Sequence, residues 1–88
     1  MQTRDVIVTD PYGMHMRVAA QIVAVVKAHR STVRLSCSEC RHASGCSILQ
    51  LMLLGAAQGQ PVHLQIEGPD EQRVADRLCD VFADGGGI

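Results

Sequence analysis

The residues best placed for chemistry lie in Gly13-Met14-His15-Met16-Arg17, where turn residues give way to a helical pattern. Asp10-Pro11-Tyr12-Gly13 is turn chemistry, because proline fixes one dihedral and glycine frees the next bend. From Met16 to about His29 the apolar positions Ala19, Ile22, Val23 and Val26 recur at helical spacing. The start of such a helix has backbone N–H groups without intrahelical partners and carries partial positive charge, so anions favour it. An imidazole there offers an unprotonated ring nitrogen near neutral pH and can act as a nucleophile. Arg17 supplies charge-assisted hydrogen bonds to phosphate oxygens, and Gly13 lets the backbone curl so that the ring sits over the amides. The expected chemistry is phosphoryl attachment at His15, with the backbone of Met16, Arg17 and Val18 turned to the anion. The competing reading makes His15 a solvated helix-start residue and Arg17 plain surface charge.

A second group, Cys37-x2-Cys40-x-His42-x3-Cys46, sets four soft or borderline ligands close together. CxxC on a turn is half of a zinc site, and His42 with Cys46 would complete four ligands for zinc or iron. The same thiols also suit reversible oxidation, Cys46 most of all, since it precedes a helix start that favours thiolate. Against the metal stands a strand reading at position 42, which turns His42 away from Cys46, and the alternative to both metal and oxidation is semi-buried thiols without a role. Cys79 reads as core packing, and His29 and His63 as surface residues.

The elements that must position these groups follow from patterning. Arg4 to Thr9 and Thr32 to Ser36 alternate as strands, with Val6 and Val8, then Val33 and Leu35, facing inward. A weak strand follows around Arg41 to Ser44. Ser47 caps a helix running to about Leu54, which Gly55 ends. Gln60 to Glu67 alternates most clearly, with Val62, Leu64 and Ile66 on one face. Asp70 caps a last helix whose stripe is Val74, Ala75, Leu78, Val81 and Phe82. Residues 85–88 read as a loose tail.

The resulting order is β-α-β-β-α-β-α in one 88-residue α+β domain. A single sheet covered on one face by three helices buries every stripe at once, and the polar alternates suit an open outer face.

Composition removes several classes of function. Eight basic against nine acidic residues give a net charge of −1, and Tyr12 and Phe82 are the only aromatics. The chain therefore has neither the field nor the stacking platform for nucleic acid. Its apolar runs are too short for a membrane span, and its start does not read as a secretory signal. The expected setting is a reducing cytoplasm, with the protein a monomer.

GMHMRVAAQIVAVVKA resembles the active-site segment of the HPr phosphocarrier family, usually G-L-H-x-R-P-A-A. CSILQLMLLGAAQGQPVHLQIEGPDEQ is similar to that family's K-S-I/L…L-G…Q-G…G-x-D-E pattern. The match runs through nearly the whole chain in the right order. It implies an open-faced sandwich with a four-stranded antiparallel sheet. It also implies a stoichiometric carrier with a transient phosphohistidine and no required cofactor. Enzyme I, charged by phosphoenolpyruvate, would donate to Nδ1 of His15, leaving the other ring nitrogen exposed, and an enzyme IIA-type acceptor would receive. Val18 stands where the family usually has proline, Met16 where it often has threonine or alanine, and Cys46 where lysine is common.

Ile48, Leu49, Leu51, Met52, Leu53 and Leu54 are too many apolar residues for a two-turn helix to bury. Leu51 and Leu54 form the expected core pair, with Ile48 and Met52 a more exposed, docking stripe. The resemblance makes Met16, Ala20, Ile48, Leu49 and Met52 the partner surface. That family's docking rim is usually lysine-rich, whereas this chain offers mainly Arg17, Lys27 and Arg41; the resemblance also aligns Ser47 with a serine that a dedicated kinase modifies in some bacteria. The alternative function is a regulatory module on the same fold, serving nitrogen or carbon control, or sensing metal or redox state through its Cys/His turn.

Overall fold

The computed structural model describes residues 1–37 and 41–83, so the expected tail at 85–88 lies outside the described residues. Seven elements follow in order: β1 (Gln2–Ile7), α1 (Met16–Lys27), β2 (Thr32–Cys37), β3 (Arg41–Ser44), α2 (Ile48–Leu54), β4 (Pro61–Glu67) and α3 (Glu71–Ala83). The strands form one antiparallel sheet in the order β1-β4-β2-β3. Alternation selects its buried face. Leu35 lies opposite Leu64 and Val33 opposite Ile66, all with at most 5% of their surface exposed. Between them Thr32, Arg34, Gln65 and Glu67 face outward.

The three helices supply the other half of the core. Ile22 of α1, Leu51 of α2 and Leu78 of α3 are fully buried against the sheet's apolar side. α1 is rich in β-branched residues, which are poor helix formers alone. Val18, Ile22, Val23, Val25 and Val26 are all buried, so packing supplies what propensity does not. Ser47 caps α2 by accepting the Gln50 N–H at 3.1 Å, and Gly55 ends it in the left-handed region at φ 69°.

Five boundaries differ from the sequence reading, the first being the start of β1, at Gln2 rather than Arg4. β1 ends at Ile7, because Thr9 turns away to donate its hydroxyl to the Phe82 carbonyl. Val8 instead bonds the Gln60 carbonyl while its own carbonyl accepts from Gly59 N–H, which also delays β4 to Pro61. α1 stops at Lys27, and the His29 ring Nδ1–H donates to the Val25 carbonyl at 2.7 Å. β2 runs one residue further, to Cys37.

Asp70 precedes α3 and its carbonyl accepts the Val74 N–H, but its carboxylate bonds elsewhere. It accepts from the Ser31 hydroxyl and the Arg30 N–H, joining the α1–β2 turn to the β4–α3 turn. Those two donors, the hydroxyl first, hold its carboxyl below the ordinary value of 3.8.

Candidate functional site

The turn before α1 is tied down from two sides. Within it, the Asp10 carbonyl accepts the Gly13 N–H at 2.9 Å, and Asp10 Oδ1 accepts the Tyr12 N–H at 2.8 Å. From across the chain, the Ala56 carbonyl accepts the Met14 N–H at 2.8 Å. Gly13 is the residue that permits this closeness. Its φ is 73°, and a Cβ there would stand 2.6 Å from the Ala56 oxygen. Met14 drops into the core, leaving the next side chain at the surface.

That side chain is His15. Its extended backbone (φ −99°, ψ 178°) makes it the N-cap of α1, and its Nδ1 accepts the Arg17 N–H at 3.2 Å. The nitrogen that must hold a lone pair to attack an electrophile thus faces the positive end of the helix. The ring is 30% exposed. Met16, Arg17 and Ala20 are exposed beside it. The Tyr12 ring stands edge-on to the imidazole, with centroids 6.2 Å apart.

Three details correct the sequence reading. The second ring nitrogen, expected to be exposed, is buried, and it lies 3.1 Å from Asp10 Oδ2. The ring N–H points off the line to that oxygen, so the contact is a close electrostatic pairing more than a straight hydrogen bond. Asp10 read as a turn former alone. Its side chain is only 9% exposed, and its carboxyl is held below the ordinary value of 3.8, first by the Tyr12 N–H and next by His15.

The Arg17 N–H, expected to be open to an anion, is donated to His15 in the uncharged site. Val18 buries its side chain in the core, contributing packing at the position. A carboxylate sharing a turn with the histidine is a signal the sequence did carry, as Asp10 five residues before His15.

The apolar surface forms as the excess of leucines in α2 requires. Leu51 and Leu54 are buried, whereas Ile48, Leu49, Met52 and Leu53 are exposed, as is Met16 on α1. Leu53, at 71% exposure, was not assigned to this surface by pattern. Arg41, expected on the rim, is exposed and donates Nη1–H to the Leu54 carbonyl at 3.2 Å, closing the end of α2. Ser47 is engaged as the α2 cap, and Cys46 beside it is exposed.

Of the Cys/His group, Cys37 and His42 are set apart. Cys37 pairs with Arg41 and is buried at 3% exposure, while His42 pairs with Ser36 and is exposed. The two side chains occupy opposite faces of the sheet and do not share a coordination sphere. Cys40 lies outside the described residues. Among the described residues, no three His, Cys, Asp or Glu side chains gather as a metal group. Cys79 is half-buried, and burial raises its thiol above the ordinary value. No described helix is long and apolar enough to cross a membrane.

The chain is a small open-faced sandwich with a histidine at the start of its first helix, and sequence comparison supplies the family. A family model described as the PTS HPr component phosphorylation site matches residues 2–84. The chain is 33% identical to phosphocarrier protein HPr of Xylella fastidiosa (strain 9a5c), over 93% of this chain and 91% of that protein. It is 30% identical to phosphocarrier protein NPr of Proteus mirabilis (strain HI4320), over 96% of this chain and 93% of the relative. The solved structure of HPr-C-His from Thermoanaerobacter tengcongensis superposes with a TM-score of 0.90 at 27% identity. That alignment covers 100% of this chain and 98% of the other. The chain belongs to the HPr family of the phosphotransferase system.

Proposed function

We propose that this protein carries a phosphoryl group on Nδ1 of His15, taking it from an enzyme I-type donor and passing it to an enzyme IIA-type acceptor. The observation that carries the reading is the orientation of the ring, with Nδ1 turned to the N-terminus of α1 and 3.2 Å from the Arg17 N–H. In the charging step the Nδ1 lone pair forms the bond to phosphorus. The donor's own bond to phosphorus breaks, and its electron pair leaves with the donor. Once Nδ1 bears phosphorus it no longer accepts the Arg17 N–H. That donor and the exposed guanidinium of Arg17 then serve the phosphate oxygens. The site is shallow and half-open, which suits a carrier, because a deeply stabilised phosphoryl group would not move on.

The exposed residues Met16 and Ala20 of α1 and Ile48, Leu49 and Met52 of α2 form the surface on which donor and acceptor dock in turn. Ser47 acts as the cap of α2 in this reading. The test is labelling with phosphoenolpyruvate and enzyme I. Wild type should take up acid-labile phosphate and His15→Ala none. Equal labelling of the mutant, or an acid-stable label, overturns the assignment.

A further inference from the structure

Among the described residues, the buried side of the His15 ring has a single charged neighbour in contact. Asp10 Oδ2 lies 3.1 Å from Nε2, while Oδ1 is fixed by the Tyr12 N–H at 2.8 Å. The same residue's carbonyl accepts the Gly13 N–H at 2.9 Å, so backbone and carboxylate are both held by the turn they belong to. The other titratable or charged groups around the ring are Tyr12 in the turn and Arg17 on α1. The segment packed beneath Gly13, Ala56 and Ala57, brings none.

We infer that Asp10 is a positioning residue for the carrier histidine, holding the ring proton on Nε2 both before and while Nδ1 bears the phosphoryl group. The inference rests on the reading that His15 is the phosphoryl carrier and adds how its ring is kept in the reactive form.

In the uncharged protein only one ring nitrogen carries hydrogen, and the partner of each nitrogen selects which. The Arg17 N–H can bond Nδ1 only where Nδ1 has its lone pair, and a carboxylate 3.1 Å from Nε2, even off the N–H line, favours the form with hydrogen there over the one that sets a lone pair against its charge. Both contacts select the same tautomer, and it is the one that attacks through Nδ1.

In the charged protein the effect grows. With phosphorus on Nδ1 and hydrogen on Nε2 the ring is formally cationic, and the Asp10 carboxylate balances it. No proton has to leave during charging. During discharge the P–N bond breaks, its electron pair returns to Nδ1, and phosphorus bonds to the acceptor's nucleophile. A neutral imidazole departs. Had the Nε2 proton been lost first, the departing group would be an imidazolate anion, a far poorer leaving group. Asp10 thus keeps the phosphoryl group transferable toward alkaline pH.

Two variants test this. Asp10→Asn keeps an oxygen for the Tyr12 N–H but sets an uncharged amide against Nε2. Asp10→Ser keeps a turn-forming oxygen with no charge. The first readout is the ¹⁵N NMR spectrum of the unphosphorylated imidazole. Wild type should hold its hydrogen on Nε2, and both variants should shift toward the Nδ1–H form. The second readout is loss of phosphate from protein charged with phosphoramidate, followed by ³¹P NMR across pH. Both variants should move the rate–pH curve about one unit toward acid, so that on the alkaline side their phosphorylated forms last about tenfold longer.

An unchanged tautomer ratio in the variants overturns the positioning role. An unchanged rate–pH curve overturns the hold on the phosphorylated ring. Failure of wild type to take phosphate at His15 sinks the carrier reading instead, while the tautomer ratio still decides Asp10. Should Asp10→Asn lose the turn, seen as a lost Tyr12 amide signal, Asp10→Ser decides alone.

Discussion

Two helix starts in this molecule are built by the same backbone physics and differ in what stands behind the cap. At α1 the His15 ring accepts the Arg17 N–H at 3.2 Å, and at α2 the Ser47 hydroxyl accepts the Gln50 N–H at 3.1 Å. Each satisfies one orphan donor of its helix. Behind His15 lies Asp10, nearly buried and fixed by its own turn, whereas beside Ser47 the Ser44 N–H bonds the Gln50 amide oxygen and the Cys46 N–H bonds the Ser44 hydroxyl, with no carboxylate in contact among the described residues. A helix start attracts anions anywhere it occurs. It becomes a place for phosphoryl chemistry where the capping atom is also a nucleophile held in one protonation form.

The largest expected difference between the two is in transfer. His15→Ala should reduce phosphoryl uptake from enzyme I by about a thousandfold or more, while Ser47→Ala should transfer at the wild-type rate. A Ser47→Ala variant as inactive as His15→Ala would erase the distinction. Next in size is the burial contrast within α2. Leu51→Ala should lower the urea-unfolding free energy by about 2–5 kcal/mol, and Leu53→Ala should change it by about 0.5 kcal/mol at most. Comparable losses would mean that the exposed leucines are covered after all.

The same exposed side gives the third expectation. Leu49→Asp should raise KM for the phosphoryl donor about tenfold at unchanged kcat, the mark of lost docking rather than lost chemistry. A fall in kcat alone would remove Leu49 from the docking surface. Smaller again are the caps as caps. His15→Ala and Ser47→Ala should each cost about 1 kcal/mol in stability, whatever their effects on transfer.

The pH dependence of stability sharpens the contrast from another part of the fold. Asp70 binds its proton more weakly folded than unfolded, because of the Ser31 hydroxyl and Arg30 N–H. Its contribution is therefore fully present above about pH 4 and is lost as pH falls through the lowered folded value. Asp70→Asn should be less stable than wild type near neutrality and converge with it in acid, measured by urea midpoints across pH. Parallel curves would show that Asp70 does not act through its charge.

Much of the fold is legible in the sequence because its signals are local. Val62, Leu64 and Ile66 alternate, Leu51 and Leu54 are a turn apart, and Ser47 and Gly55 bracket their helix. These features need no knowledge of a partner strand. His15 and Arg17 are legible for the same reason, since a turn followed by a helical stripe marks a helix start.

The features that escaped depend on partners far along the chain or on register. Asp70 bonds a turn some forty positions away, and Arg41 closes a helix that begins after it. The Cys37–His42 pairing fails because the hairpin sets Cys37 opposite Arg41, which puts His42 one step off and on the other face. Asp10 was visible as a residue but not as a neighbour of Nε2. That contact depends on a curl at Gly13 which spacing alone does not display.

The carbonyl of Ala56 beneath Gly13 has a consequence for how the protein is made. Residues 8–14 and 56–60 are sewn together by the Val8, Met14 and Gly59 N–H groups, and the intervening chain is nearly half of the domain. Closing that loop costs entropy that native packing returns, so the turn that presents His15 is in place only in the folded domain. An unfolded chain has the histidine but not the turn that presents it. Competence to receive phosphate should therefore appear with cooperative folding, making each charged molecule a report that its chain has folded.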